Sequence, residues 1–139
     1  MSAKEDAKRL LKSGSTVFLV TVGEDGQPDA RAMATVQNEG LKTIWMLTGK
    51  SSDKHRELSR NPRCLIYATD LEDTQSYLEL RLWGEMELLD DAASRAQAWR
   101  EDYLHYFPGG KDDPELCVLK FTAASGSLQT MTGKEKLTL

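Results

Sequence analysis

The chain has 139 residues, of which 40% are hydrophobic and 29% charged, with a formal net charge of −4; this balance excludes a disordered chain and fits one globular domain over residues 1–139. An acidic chain without a basic stripe argues against nucleic acid or an anionic membrane as main partner, while leaving room for a locally positive pocket. No apolar run approaches the ~20 residues that span a bilayer, and the polar first residues lack a leader-like apolar stretch, so the sequence reads as a cytoplasmic protein.

Residues 2–12 predict a helix: Ala3, Ala7, Leu10 and Leu11 share a face, Ser2 is the cap, and Ser13-Gly14 is the stop. Thr16–Val22 is an unbroken β-branched and aromatic run, expected as a strand buried on both faces. Glu24-Asp25-Gly26 supplies a hairpin turn. Residues 29–37 alternate, with Arg31, Met33 and Thr35 on one face and alanines on the other. Asn38-Glu39-Gly40 is a second turn before a strand over 41–48, and the two turns together predict a three-stranded meander.

Residues 51–60 predict a short helix capped by Ser51 or Ser52 and stopped by Asn61-Pro62. Strands follow at Arg63–Thr69 and at 77–89, where Gly84 interrupts the alternation as a bulge or bend would. Residues 90–106 predict one long helix carrying Ala92, Ala96, Trp99, Tyr103 and Tyr106 as a stripe. A last strand is expected over 115–122, and 130–139 as a polar tail. The expected class is mainly β (α+β): a six-stranded antiparallel split β-barrel with flanking helices, whose closure hides strand edges.

One segment points to an anion. Residues 48–54 leave a strand, pass Gly49 and open a helix, an arrangement that offers free N–H groups and partial positive charge to a phosphate. Thr48, Ser51 and Ser52 add hydroxyls, and Lys50 or Lys54 adds a full charge. A plainly capped helix explains the segment equally well. Arg31 shifts the balance, because the meander would bring it near the Leu47–Thr48 end of the neighbouring strand, although a surface ion pair to Glu79 or Asp53 is the simpler role. The two histidines, His55 and His105, support no nucleophile–base arrangement, and no ligand spacing for a metal occurs. Cys64 and Cys117 lie in apolar runs and read as buried free thiols.

Several motifs, in order, resemble the pyridoxamine 5'-phosphate oxidase-like family of FMN-binding split barrels, nearest its general-stress-protein branch. They are Gly26-Gln27-Pro28-Asp29-Ala30-Arg31-Ala32-Met33, Ile44-Trp45-Met46-Leu47-Thr48 followed by Ser52-Asp53-Lys54, then Asn61-Pro62, Trp83-Gly84-Glu85 and Phe107-Pro108-Gly109-Gly110. The resemblance implies a homodimer with FMN in the cleft between subunits. It implies Arg31 and Lys54 on the FMN phosphate with hydroxyls from Thr48 and Ser52. It places backbone of Ala32, Met33 and Leu47 along the flavin and ribityl chain, Gln75 or Ser76 reaching the flavin, and Trp99 approaching from the partner. The chain has no Arg after Arg100 and no His after His105, so it lacks the substrate element of true pyridoxamine phosphate oxidases. The implied activity is an FMN-dependent oxidoreductase of unknown substrate; a non-catalytic flavin buffer or stress sensor is the alternative, and haem held through His55 a third reading.

Overall fold

The computed structural model describes residues 2–139. Helix α1 (Ala3–Leu10) is capped by Ser2, whose side chain accepts the Glu5 N–H. Strands β1 (Thr16–Val22) and β2 (Pro28–Ala34) form the expected hairpin, from Thr16 opposite Ala34 to Val22 opposite Pro28. Gly26 turns it with φ of 85°, a conformation that disfavours any residue with a Cβ. β1 is buried on one face only, through Val17, Leu19 and Thr21; its other face is half-buried or exposed.

The predicted meander is replaced by a different pairing. β2 stops at Ala34, and β3 (Gln37–Glu39) pairs with β4 (Thr43–Gly49), which in turn pairs with β7 (Leu116–Thr130). With β5 (Arg63–Thr69) and β6 (Glu79–Leu89), the order is β2-β1-β5-β6-β7-β4-β3, antiparallel throughout, and β8 (Gly133–Lys136) pairs with β7. The two ends of this order are consecutive in the chain. Thr35 donates its N–H to the Ser15 carbonyl on the β1 side at 2.9 Å, and Val36 donates to Trp45 on β4 at 2.9 Å. The sheet therefore curls back on itself as a split barrel of eight strands rather than six, the extra two being short.

Two further corrections concern length. β7 runs on through Ser125-Gly126-Ser127 to Thr130, because the register shift at Trp83/Gly84 lets β6 keep pairing it. A Cβ on Gly84 would lie 2.1 Å from the Thr122 carbonyl oxygen, so only glycine permits this approach. The expected polar tail returns as β8, and Leu137 joins the core. The long helix over 90–106 is only α3 (Ala92–Ala98), capped by Asp91; Trp99 has extended backbone, and a 3-10 turn follows at Glu101–Tyr103. Trp99 and Tyr103 satisfy their apolar surfaces by packing on an outer cluster, which a helix is not needed to achieve.

That outer cluster, with Trp45, Leu47, Val118 and Phe107, lies apart from the barrel core of Leu19, Ile44, Met46, Ile66, Leu80, Leu82 and Phe121. Alternation along β4 sends Met46 to one and Leu47 to the other. Helix α2 (Asp53–Arg60) packs on β1 and β6 and puts Leu58 into the core. Both cysteines are buried and free, and burial pushes the Cys64 thiol up to about 12, with Glu85 adding to it.

Candidate functional site

Gly49 ends β4, and Ser52 caps α2 by accepting the His55 N–H at 3.3 Å. Between them the segment 48–54 divides into two sides. On one, Ser51 hydrogen-bonds Glu115 through both its N–H and its hydroxyl, and Lys50 pairs with Asp90 at 2.7 Å. These groups are committed to the protein itself. On the other, the Thr48 and Ser52 hydroxyls lie 3.1 Å apart and Lys54 begins the helix face that continues through Glu57 and Leu58.

Arg31 reaches that helix face by a route the sequence does not show. It pairs with Leu19 on β1, not with β4. Its guanidinium turns along β1 toward α2, where Nη1 donates to the Thr21 hydroxyl at 2.7 Å and to the Leu19 carbonyl at 3.2 Å. Nη2 donates to Glu57 Oε1 at 3.1 Å and to Asp29 Oδ2 at 3.2 Å. The ion-pair partners are thus Glu57 and Asp29 rather than the expected Glu79 or Asp53. Glu57 also accepts from the Thr21 hydroxyl at 2.7 Å. Glu57 and Thr21 were not singled out in the sequence; the one local signal was the position of Glu57 three residues after Lys54 and one before the core residue Leu58.

Lys54 differs from Arg31. It is half-buried, and among the described residues it makes neither an ion pair nor a side-chain hydrogen bond. Burial holds its pKa below 10.5, and the nearby charge of Arg31 lowers it further, against a smaller opposing effect of Asp53. A half-buried ammonium that pairs with no described carboxylate and lies near a guanidinium has the chemistry of a site for a phosphate or similar anion.

The remaining predicted site residues fall elsewhere. Ala32 is exposed on the outer face of β2, and Met33 is buried opposite Val17. Leu47 and Trp99 share the outer cluster, where the Trp99 indole N–H donates to Glu101 at 2.8 Å. Gln75 is exposed in a 3-10 turn between β5 and β6, its N–H on the Asp73 carboxylate. Within one chain, then, Arg31 meets α2 at Glu57 and lies near enough to Lys54 to lower its pKa, Thr48 meets Ser52 at the cap of the same helix, and Gln75 and Trp99 have no bond to any of them.

A second feature is an uncovered sheet face. Across β2, β1, β5 and β6 the register sets Ala32, Phe18, Tyr67 and Arg81 in one row and Ala30, Val20, Leu65 and Trp83 in the next. The Phe18 and Tyr67 rings lie 6.2 Å apart, and Trp83 is exposed. A groove of about 740 Å³ runs along this face past Val20, Leu65, Trp83 and Ala124. No group of three or more potential metal ligands occurs among the described residues, and none of their helices is long and apolar enough to cross a membrane.

A family model described as "Pyridoxamine 5'-phosphate oxidase like" matches residues 2–137. A crystal structure of a protein related to general stress protein 26, from Clostridium acetobutylicum, superposes with a TM-score of 0.87 at 29% identity, covering 100% of this chain and 97% of that one. General stress protein 26 from Bacillus anthracis gives 0.79 at 18% identity, with both chains covered in full (100%). A heme binding protein from Mycobacterium smegmatis gives 0.76 at 20% identity, covering 99% of this chain and 58% of that one. No curated protein sequence matches.

Proposed function

The chain belongs to the pyridoxamine 5'-phosphate oxidase-like family, and we propose that it is an FMN-binding protein that acts as an FMN-dependent oxidoreductase. The observation that carries the reading is Lys54, half-buried and unpaired among the described residues beside Arg31. In this reading Lys54 and Arg31 hold the phosphate, and Thr48 and Ser52 donate hydroxyl hydrogens to it. Backbone of Ala32, Met33 and Leu47 would line the rest of the cofactor. Bound FMN supplies hydride-transfer chemistry; the protein supplies position, charge and exclusion of water.

The uncovered face of β1, β5 and β6 supports a homodimer. Apolar side chains in register over several strands, ending in an exposed Trp83, suit a second copy of the same face. In this reading Gln75 or Ser76 reaches the flavin, and the partner's Trp99 approaches it.

The test is a spectrum of the purified protein, with mass identification of whatever denaturation releases. Two flavin bands and released FMN are expected, together with a dimer by light scattering. A colourless protein that ignores added FMN contradicts the reading, and a Soret band would instead ally it with haem binders. Turnover with a nicotinamide reductant separates an enzyme from an inert flavin buffer.

A further inference from the structure

The hydrogen bonds of Arg31 fall into two sets. The inner set ends on the Leu19 carbonyl, the Thr21 hydroxyl and Glu57, whose side chain is only 14% exposed and is itself held by Thr21. The outer set ends on Asp29, through its carbonyl at 3.3 Å and its carboxylate at 3.2 Å. The Asp29 side chain is 60% exposed, and its other oxygen accepts only the neighbouring Ala30 N–H. Nothing in the core has to move for that carboxylate to leave Arg31. The Arg31 Nε bonds to no described residue, and release of Asp29 opens one N–H of the adjacent Nη2, whose other bond stays on Glu57; two such neighbouring donors grip an oxyanion in two places.

We infer that Asp29 is a built-in competitor for the anion: its carboxylate rests on the part of Arg31 that a phosphate monoester takes, and swings out when the phosphate binds. Glu57 and Thr21 keep their places and fix the guanidinium. The inference rests on the phosphate reading of the Arg31–Lys54 corner and adds to it a residue that sets affinity for the charge of the ligand. Asp29 weakens binding twice, by holding the donor and by repelling the dianion.

The test titrates the flavin-free full chain and its Asp29→Asn variant with FMN and with riboflavin, following flavin fluorescence at low and high salt. Asparagine keeps the shape and removes the charge. Asp29→Asn is expected to bind FMN about three- to tenfold more tightly, as loss of one exposed charge near a dianion allows. Riboflavin, which has no phosphate, should bind both proteins equally, and the FMN difference should shrink at high salt. FMN binding that is equal or weaker in the variant, or riboflavin binding tightened by the same factor, overturns the inference and leaves the FMN reading standing. Failure of both proteins to take up FMN overturns both.

Discussion

Two charged clusters flank the end of β4, and they are built to opposite ends. Around Asp90, every cation is closed: Lys50 pairs with Asp90 at 2.7 Å, and the buried Arg95 donates to Asp90 and to the carbonyls of Lys111, Asp113 and Leu116. Around Arg31, the guanidinium has two carboxylates while Lys54 has none among the described residues. A guanidinium that ends on the carbonyls of a loop is a staple, since those carbonyls would otherwise be buried without donors. An ammonium held half-buried beside another cation opposes folding and persists where it serves a ligand. Lys50 and Lys54, four residues apart in one segment, fall on different sides of this division.

The largest expected effect breaks the staple. Arg95→Ala should lower stability by about 2–4 kcal/mol, by stranding several carbonyls and loosening the turn before β7. Denaturant melts measure it, and FMN affinity of the folded protein should stay within about twofold. Arg31→Ala sharpens the other side: FMN affinity should fall roughly 10–100-fold from loss of charge-assisted contacts. An unchanged dissociation constant would remove Arg31 from the site.

pH separates the clusters further. Lys54 titrates below 10.5 because of burial and then Arg31. Its unfolded form therefore binds a proton more tightly than its folded form, and in the ligand-free chain this contribution makes stability rise with pH between the two values. Phosphate needs the charged lysine, so FMN affinity should drop as pH rises through the lowered pKa, and a Lys54→Met variant should lack that limb. At the acid end, Asp90 is held at about 2, first by its hydrogen bonds to Lys50 and then by those to Arg95, against 3.8 when free. Its folded pKa is depressed, so its contribution is whole above about pH 4 and disappears as pH falls toward 2. Stability of Asp90→Asn should be flatter across that window, by a smaller margin than the effects above.

Much of this was legible locally. The bounds expected for β1 and β5 match to the residue, Ser2 caps α1, Ser52 rather than Ser51 caps α2, and Gly84 marks a real bulge. Partner choice was not legible. The alternation of 29–37 suits either neighbour, and only the bonds of Thr35 to Ser15 and Val36 to Trp45 hand the chain from one side of the split to the other. The sequence hides the far half of β7 because Ser125, Gly126 and Ser127 carry no apolar signal, although β6 pairs them. At the corner, the cations and hydroxyls stood out as residue types. Glu57 and Asp29 did not, because a carboxylate's role there depends on which strand faces α2.

Lys54, and not Lys50, is the lysine proposed to hold the phosphate. FMN titrated into Lys54→Ala and Lys50→Ala tests it most directly. Binding is expected to weaken roughly 10–100-fold in Lys54→Ala and to change within about twofold in Lys50→Ala, whose loss is spread over an exposed ion pair. Equal losses in the two variants, or a loss confined to Lys50→Ala, would contradict it.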